Sequence, residues 1–377
     1  MSKKFGILTS GGDSPGMNAA VVSVARYAQQ YGVELMGIRR GYNGLLGKSE
    51  NELNDIRKLR SETVLDILDM RGTYLRTARC KEFFLDEVLD QVADDLKNKH
   101  HIDGLVIIGG DGSYRGALDL CKRGVRCVGI PGTIDNDLPY TEATLGYDTA
   151  VNVCVEAVRS IRATSRSHDR PHVVEVMGRR CGDIAMRTAI ATGAEMVIVP
   201  EKKWDLRDVI KRLNEQITNG NPRATIIICE NAWEDGNMAD YPWREQLCGS
   251  DECVHGDTPF STKLMAHVLK IACNAEVRST VIGYTQRGAI PTAYDSAFAF
   301  EAGHRAVELL MNETPAKDDG FAVGVQHGRV FHTSLKDAAQ KKPPRPFDEK
   351  MYHTINTLPY LPREDDLILV AARNVKK

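Results

Sequence analysis

The chain has 377 residues, and its 49 lysines and arginines against 51 aspartates and glutamates give a formal net charge of 49 − 51 = −2. A nearly neutral chain without a strongly basic tract is not typical of a protein whose main partner is nucleic acid or an anionic membrane surface. No apolar stretch reaches the ~20 residues of a membrane-spanning helix. The length exceeds the size at which one hydrophobic core usually keeps growing, so we predict two domains.

The cellular compartment of the protein is predicted from the start of the chain and from its cysteines. Residues 4–8 already form a strand-like run, and no secretory signal precedes them. The nine cysteines are scattered without a CxxC pair, and several, such as Cys127 and Cys154, lie in apolar runs. This usage is typical of reduced, structural thiols, and we expect a cytoplasmic protein.

Apolar runs bounded by glycine alternate with helical patterns along the chain. The predicted strands are at 4–8, 33–38, 105–108, 127–130, 173–176, 196–199, 224–229 and 280–283. The predicted helices are at 16–31, 85–99 and 147–163, with further helices between the later strands. This rhythm predicts an α/β fold with mainly parallel sheets and right-handed crossovers. Residues 231–262 are predicted to be a long loop or insertion, and the proline-rich tail from Lys341 is expected to end in a strand at 367–370.

Two motifs follow neighbouring apolar strands. Gly109-Gly110-Asp111-Gly112-Ser113 offers glycines whose backbone N–H groups can approach an anion, and an aspartate that can hold a divalent cation. The second motif, 131–137, carries Asp135 and Asp137. Because ligands bind at the carboxyl ends of parallel strands, the two motifs indicate a phosphoryl-transfer site. The alternative interpretation of both aspartates is as turn residues or helix caps.

A third glycine-rich loop lies at 9–18, between the first strand and the first helix. Helix N-termini of this kind bind phosphate, although the loop is not a Walker A sequence. Alone, such a loop is more often a tight strand-to-helix connection. Together with Gly109–Ser113 it predicts one shared anion site.

Several other side chains suit phosphate or sugar recognition. Arginines near glycine-rich strand ends can clamp phosphate oxygens, although surface solvation is the default for any one of them. These arginines are Arg79, Arg170, Arg179, Arg180, Arg278 and Arg287. Glu230 either accepts sugar hydroxyls or pairs with an arginine, and Tyr42 either flanks an adenine ring or packs on its neighbours. A metal site at His168 and His172 is not expected, because Pro171 between them breaks a helix.

Five motifs in this order resemble the 6-phosphofructokinases of the phosphofructokinase A type. They are LTSGGDSPGMN at 8–18, IGGDGS at 108–113, PGTIDND at 131–137, VEVMGRRCGD at 174–183 and GYTQRG at 283–288. The resemblance spans roughly residues 4–335. It implies two Rossmann-like three-layer α/β domains, with the active site in the cleft between them. The implied bounds are 1–146 with 286–336 for the nucleotide-binding domain and 147–285 with 337–377 for the sugar-phosphate-binding domain.

The resemblance also implies the reaction and its residues. The γ-phosphoryl group of ATP would pass to the 1-hydroxyl of fructose 6-phosphate, with Mg²⁺ as cofactor. Asp135 would be the base, and the other implied catalytic residues are Thr133, Asp137, Arg179 and Gly12. The implied ATP-binding residues are Gly12, Tyr42, Arg79, Gly109, Gly110, Asp111, Gly112 and Ser113, with Asp111 holding the metal. The implied sugar-phosphate residues are Thr133, Asp135, Asp137, Arg170, Met177, Gly178, Arg179, Glu230, Arg278, Tyr284 and Arg287.

Arg170 and Arg278 would serve a neighbouring subunit, which implies a homotetramer or homodimer with shared active sites. Glycines at Gly112 and Gly132 favour ATP, since pyrophosphate users tend to have aspartate and lysine there. Three residues depart from the family pattern, namely Tyr284 in place of a histidine, Ala289 and Ser296. Of the residues expected for allosteric effectors, Arg26, Arg162 and Glu195 match, whereas Val22 and the 219–221 region do not. The open alternatives are another donor, another ketose phosphate, or a regulatory paralogue without turnover.

Overall fold

The computed structural model describes residues 3–47, 55–237, 261–340 and 346–357. The chain divides into two units, 1–150 with 287–346 and 151–286 with 347–377. Each unit has its own mainly parallel sheet, so the α/β class is confirmed. Among the helices in the described ranges, none is both long and apolar enough to cross a membrane.

The strands are β1 (Lys4–Thr9), β2 (Glu34–Ile38), β3 (Ile56–Leu59), β4 (Gly104–Gly109), β5 (Cys127–Pro131), β6 (His172–Val176), β7 (Met196–Ile198), β8 (Trp204–Asp205), β9 (Thr225–Cys229), β10 (Gly236–Asn237), β11 (Arg278–Val281), β12 (Phe321–Gln326) and β13 (Arg329–Ser334). The helices are α1 (Met17–Gln30), α2 (Ser61–Val64), α3 (Asp86–Asp94), α4 (Asp111–Cys121), α5 (Tyr147–His168), α6 (Asp183–Thr192), α7 (Leu206–Thr218), α8 (Thr262–Ala272), α9 (Ala293–Asn312), α10 (Leu335–Ala338) and α11 (Glu349–Thr357).

The first unit is built on a seven-stranded sheet in the order β13-β12-β5-β4-β1-β2-β3. Its central strands are parallel, and β4 and β5 are buried along their whole length. Helices α1 and α9 supply the core on one face, and α3, α4 and α10 supply it on the other. Burial on both faces explains why these strands are continuous apolar runs rather than alternating ones.

The edges of this sheet are antiparallel. Strand β3 pairs antiparallel with β2, and β12 and β13 form a hairpin. The hairpin turn is His327-Gly328, with φ of 51° and 68°. Two consecutive residues of positive φ match the twist of a two-residue hairpin. The alternation of strands and helices along the sequence predicted parallel strands, and it did not predict either antiparallel edge of this sheet.

The second unit is built on a parallel sheet in the order β11-β6-β9-β7. The strand predicted at 280–283 lies two residues earlier, because β11 pairs from Arg278 opposite His172, and a 3₁₀ turn follows at Gly283–Arg287. Helix α5 continues past its predicted end at 163. The Ser167 hydroxyl and the His168 ring extend it by bonding to carbonyls one turn earlier. The predicted insertion begins as a 3₁₀ turn (Glu230–Asp235) and β10. Its residues 238–260 and the predicted strand at 367–370 lie outside the described residues.

Candidate active site

The three glycine-rich motifs meet at the carboxyl edge of the seven-stranded sheet. Strand β4 lies between β1 and β5, so the loops that follow these strands are neighbours. The Ser10 N–H donates to the Ile108 carbonyl at 2.9 Å, and the Gly132 N–H donates to the Gly109 carbonyl at 3.0 Å. The predicted shared site is therefore one continuous surface of backbone and short side chains.

The glycines of the second motif differ in their surroundings. A Cβ on Gly109 would lie 2.4 Å from the Ser113 Oγ and 2.7 Å from the Ser10 carbonyl oxygen, so no side chain fits there. A Cβ on Gly112 would meet nothing within 4 Å. Gly110 precedes α4 and Asp111 begins it, which directs the first N–H groups of this helix to the same edge. The motif combines a closely packed turn with an open helix N-terminus that suits an anion.

Arg287 lies against the first loop. Its Nη1 donates to the Asp13 carbonyl at 2.8 Å, and a Cβ on Gly12 would lie 2.8 Å from the same nitrogen. Gly12 is thus the residue that lets the guanidinium approach the loop. This places a predicted sugar-phosphate residue beside a predicted phosphoryl residue within the first unit.

The segment before Arg79 is tied to the first loop. The Thr9 hydroxyl donates to the Arg76 carbonyl at 2.8 Å, and the Thr77 hydroxyl donates to the Gly11 carbonyl at 2.7 Å. Arg79 follows this segment with an exposed side chain. These hydrogen bonds fix the backbone from which Arg79 projects.

Tyr42 is buried beneath the second motif. Its ring stacks on Phe83 at 4.0 Å between centroids, and its hydroxyl donates to the Ser113 carbonyl at 2.5 Å. Burial raises the pKa of Tyr42 well above its usual range. The structure therefore favours the packing alternative, in which Tyr42 supports Ser113 from below.

The Asp135 turn is held by its neighbours. The Thr133 hydroxyl accepts the Asp135 N–H at 3.2 Å, and the Thr144 hydroxyl donates to the Thr133 carbonyl at 2.6 Å. Asn136 adopts φ of 53° while its Oδ1 accepts the Thr144 N–H at 3.1 Å. Asp135 is buried and Asp137 half-buried, and neither begins a helix. The helix-cap alternative therefore does not apply to either aspartate.

Asp111, the predicted metal ligand, has a cationic neighbour. Its carboxylate pairs with Arg115 one turn along α4, at 2.7 Å. Within the described ranges, no group of three His, Cys, Asp or Glu side chains is placed to hold a metal ion. A single carboxylate beside the candidate anion site fits Mg²⁺, because this ion is commonly held by one or two carboxylates together with substrate phosphates.

In the second unit, the loop after β6 forms a separate group. The Arg179 N–H donates to Glu230 Oε1 at 2.9 Å, and the Met177 N–H donates to Gln286 Oε1 at 2.9 Å. Gly178 has φ of 145°, and a Cβ there would lie 2.5 Å from the Cys181 carbonyl oxygen. This loop is closely packed and carries the exposed side chains of Arg179 and Arg180.

Arg170 and Arg278 lie at the other edge of that sheet. Both pair with Glu276, Arg170 at 2.7 Å. They stand at the amino ends of β6 and β11, whereas Met177 follows the carboxyl end of β6. A five-residue strand separates the two edges by about 16 Å. The structure therefore does not bring these arginines to Met177 and Glu230 in the same unit.

Tyr284, the residue in place of the family histidine, is 82% exposed.

The rings of His168 and His172 bond to different groups. The His172 ring bonds to the Thr280 hydroxyl at 2.8 Å, and the His168 ring bonds to the Thr164 carbonyl. The effector-type residues Arg162 and Glu195 bond to each other at 3.0 Å, with Asn221 on the same carboxylate.

Sequence reasoning did not single out a buried carboxylate, Asp295, and a half-buried one, Glu175. Asp295 accepts the N–H groups of Gly146 and Thr149 at 2.8 Å each, and burial raises its pKa to about 6. Glu175 accepts from the Trp233 indole at 3.3 Å and from the Thr262 hydroxyl, and burial raises its pKa. The available signal was an acidic residue inside an otherwise apolar run.

Comparison with known proteins settles the family. The phosphofructokinase family model matches residues 4–310. The chain belongs to the phosphofructokinase family. It is 40% identical to ATP-dependent 6-phosphofructokinase 1 of Clostridium perfringens, over 94% of this chain and 99% of that protein. It is 42% identical to the ATP-dependent 6-phosphofructokinase of Bacillus mycoides, over 93% of this chain and 97% of that protein.

Solved structures agree with this family. The T-state phosphofructokinase of Pichia pastoris is 32% identical, with a TM-score of 0.77, and the match covers 91% of this chain but only 36% of the yeast chain. The pyrophosphate-dependent phosphofructokinase of Marinobacter aquaeolei has a TM-score of 0.72 at 18% identity, which shows the fold alone. The predicted resemblance is therefore confirmed.

Proposed function

We propose that this protein is an ATP-dependent 6-phosphofructokinase, which transfers the γ-phosphoryl group of ATP to the 1-hydroxyl of fructose 6-phosphate. The products are fructose 1,6-bisphosphate and ADP, as in glycolysis. The observation that carries the proposal is the meeting of the Gly12, Gly109–Ser113 and Asp135 loops at one sheet edge. Relatives with this activity in their names, at about 40% identity over nearly their full length, support it.

Each loop has a separate part in the proposed reaction. The N–H groups of the glycine-rich loops and the first turn of α4 bind the donor phosphates. Asp135 takes the proton of the attacking hydroxyl, and the Thr133 hydroxyl orients its backbone. Arg287, Arg79 and Arg179 stabilise the negative charge of the phosphates. Asp111 would hold Mg²⁺, which when bound neutralises phosphate charge.

The donor is proposed to be ATP because of the two glycines. The space beside Gly112 is open, whereas an aspartate there would put a negative charge near the donor phosphates. A Cβ on Gly132 would lie 2.8 Å from Ile108 and 3.0 Å from Met17. A lysine at that position would displace core side chains, so the lysine of pyrophosphate users does not fit this backbone.

We also propose that the protein is a cytoplasmic homotetramer or homodimer whose active sites are shared between subunits. Arg170 and Arg278 stand at the sheet edge opposite Met177, so they bind sugar phosphate only in a neighbouring subunit. Their present partner is Glu276, which keeps both guanidiniums close together. Cys121, Cys127, Cys154, Cys229 and Cys273 are not joined in disulfides, which suits a reducing compartment.

Initial rates with fructose 6-phosphate and Mg²⁺, comparing ATP with pyrophosphate as donor, test this function. We expect turnover with ATP alone. Turnover with pyrophosphate instead would overturn the donor assignment. Turnover only with tagatose 6-phosphate or sedoheptulose 7-phosphate would change the acceptor, and no turnover with any pair would favour a regulatory paralogue.

A further inference from the structure

Four arginines converge in the first unit where β2 ends and β3 begins. Arg39 and Arg40 directly follow β2, and the Arg39 N–H donates to the Asp55 carbonyl at 2.8 Å. Arg57 lies in β3 opposite Gly37, near the same end of β2. The Arg40 N–H donates to the Leu75 carbonyl at 2.8 Å, which brings Arg76 alongside. We call Arg39, Arg57 and Arg76 the arginine cluster.

Within the described ranges, the positive charge of the cluster exceeds the negative charge beside it. Asp55 is the one carboxylate that acts on Arg39 in the described ranges, and it already pairs with Arg40 through two hydrogen bonds. Arg57 lies over the Tyr74 ring at 5.0 Å. Burial, with repulsion from Arg57 and Arg76, lowers the pKa of Arg39. Among the described residues, the cluster therefore carries more positive than negative charge, which suits the binding of an anion.

Two guanidinium nitrogens of the cluster are buried without a bond. The Nε atoms of Arg39 and Arg57 are inaccessible to solvent and have no hydrogen-bond partner among the described residues. A buried donor without an acceptor destabilises the folded state. Buried polar groups are usually satisfied, so two such donors in one cluster point to a missing acceptor.

The backbone beneath the cluster is strained as well. Arg40 has φ of 61° and Arg76 has φ of 58°, in the left-handed region that favours glycine. Strained residues of this kind persist where the surrounding structure enforces them, and they concentrate at ligand clamps. The unsatisfied donors belong to Arg39 and Arg57, and the strained backbone lies at the adjoining residues Arg40 and Arg76.

We propose that the arginine cluster binds a phosphate group, either as inorganic phosphate or on a small phosphorylated molecule. Planar guanidiniums match phosphate oxygens in pairs. A phosphate dianion supplies several acceptors and two negative charges, whereas a carboxylate would neutralise only one of the three arginines. This site goes beyond the proposed function and is distinct from the donor and sugar-phosphate residues described above.

The cluster is linked to the proposed donor loop. The Arg76 carbonyl accepts from the Thr9 hydroxyl, and the neighbouring Thr77 hydroxyl donates to the Gly11 carbonyl. A phosphate that orders Arg76 therefore also restrains the loop carrying Gly11 and Gly12. Through these hydrogen bonds, binding of a phosphorylated compound at the cluster is coupled to the position of the phosphoryl-transfer loop.

Equilibrium dialysis of labelled inorganic phosphate tests the site. The full-length protein is first saturated with β,γ-methylene-ATP and fructose 6-phosphate, so that both substrate sites are filled. We expect about one further phosphate to bind per chain. No phosphate bound under this saturation would overturn the proposal, because it would show that phosphate uses only the substrate sites.

Variants then locate the bound phosphate. Arg39→Gln and Arg57→Gln are each expected to weaken phosphate binding roughly tenfold to a hundredfold, through loss of charge-assisted hydrogen bonds. Arg60→Gln is the matched control, because Arg60 is exposed just beyond the other end of β3. Equal phosphate affinity in the cluster variants and the control would contradict the assignment. Arg76→Gln, at an exposed position, repeats the test if substitution of the half-buried Arg39 or Arg57 prevents folding.

Thermal unfolding separates a binding role from a structural one. Phosphate should raise the Tm of the wild type but not of the cluster variants, because a ligand stabilises only the state that binds it. Without phosphate, the variants should melt at an equal or higher temperature, since a repelling charge has been removed. Variants with lower Tm and unchanged phosphate affinity would show that the cluster only supports the fold.

Displacement of the labelled phosphate identifies its source. Glycerol 3-phosphate is added in one series and unlabelled phosphate in another. Stronger displacement by glycerol 3-phosphate assigns the site to a phosphorylated metabolite, and stronger displacement by phosphate assigns it to the free anion.

Discussion

At the scale of single residues, the glycines of the site differ in what a side chain would meet. The Gly12 position faces the Arg287 guanidinium, whereas the Gly112 position faces open space. The first glycine therefore permits a contact between protein groups, and the second leaves room for a ligand. Substitution of each glycine by alanine, which adds one methyl group, distinguishes these roles.

We expect Gly12→Ala to lower kcat/KM for ATP roughly a hundredfold, because the new Cβ displaces Arg287 and misplaces the loop. Gly112→Ala is the control for folding, since its methyl group contacts nothing within 4 Å in the structure. Initial rates and Tm values of both variants check this. Equal activity in Gly12→Ala and the wild type would show that the Arg287 contact is dispensable.

We expect Asp135→Asn to lower kcat by roughly 10²- to 10⁴-fold, as loss of a general base does. The KM for fructose 6-phosphate should change little, because the amide keeps the shape of the carboxylate. Steady-state kinetics measure both, with the exposed Asp66→Asn as control. Loss of sugar binding by the same factor as kcat would sink the assignment of Asp135 as the base.

We expect Tyr284→His to lower the KM for fructose 6-phosphate severalfold, because a protonated imidazole adds a charge-assisted bond to the 6-phosphate. Tyr284 is 82% exposed, so the substitution leaves the core intact. The measurement is KM below about pH 6.5, where histidine is protonated. Tyr31→His, at an exposed tyrosine of the first unit, is the control. An unchanged or higher KM would argue against contact between this position and the phosphate.

At the scale of elements, one buried carboxylate joins two helices. Asp295 lies in the first turn of α9, where its N–H donates to the capping Thr292 hydroxyl. Its carboxylate accepts the N–H groups of Gly146 and Thr149 and the Thr149 hydroxyl, at the start of α5. The hydrogen bonds favour the charged form, but burial outweighs them and raises the pKa of Asp295 from 3.8 to about 6.

This shift predicts a pH dependence of stability. Between the unfolded pKa of 3.8 and the folded pKa of about 6, the folded state binds more protons than the unfolded state. The free energy of unfolding should therefore fall by about 3 kcal/mol as the pH rises through this window, and stay at the lower value above it. Urea unfolding at several pH values measures the slope. Asp295→Asn should remove this contribution, and an identical slope in both proteins would contradict it.

At the scale of the whole molecule, the two edges of the second sheet carry different residues. Arg170 and Arg278 stand at one edge, and Met177, Arg179 and Glu230 follow strands at the other. A strand cannot bring its two ends together, so one ligand cannot touch both groups within one unit. This geometry is the reason to expect sites shared between subunits.

Mixing two inactive variants tests that expectation. Asp135→Asn and Arg278→Ala homo-oligomers should each have low activity, and co-refolding them should restore measurable turnover. If active sites are shared, some sites in a mixed oligomer combine an intact Asp135 from one subunit with an intact Arg278 from another. Sedimentation confirms that mixed oligomers form. Mixed oligomers without regained activity would mean that both residues serve the same site within one chain.

The local patterns of the sequence were sufficient for the parallel strands of the first sheet from β1 to β5 and for the position of the loops that follow them. Apolar runs and glycines act on their immediate neighbours, so β1, β4 and β5 and the loops after them follow from short stretches of chain. The carboxyl ends of parallel strands necessarily share an edge, which is why Gly12, Gly109–Ser113 and Asp135 could be expected together. The confirmed family resemblance depends on the same motifs.

Other features depend on residues far apart in the sequence. The antiparallel edges, the stacking of Tyr42 on Phe83, and the bonds from Asp295 to Gly146 and Thr149 join segments that no local pattern connects. The arginine cluster is the clearest case, because each of its arginines alone resembles a solvated surface residue. By itself, the sequence determined the α/β class and the position of the candidate phosphate-binding loops, since these arise from local backbone preference and burial. Only the tertiary structure decided which charges and buried donors share a space, because that depends on strand pairing between distant segments.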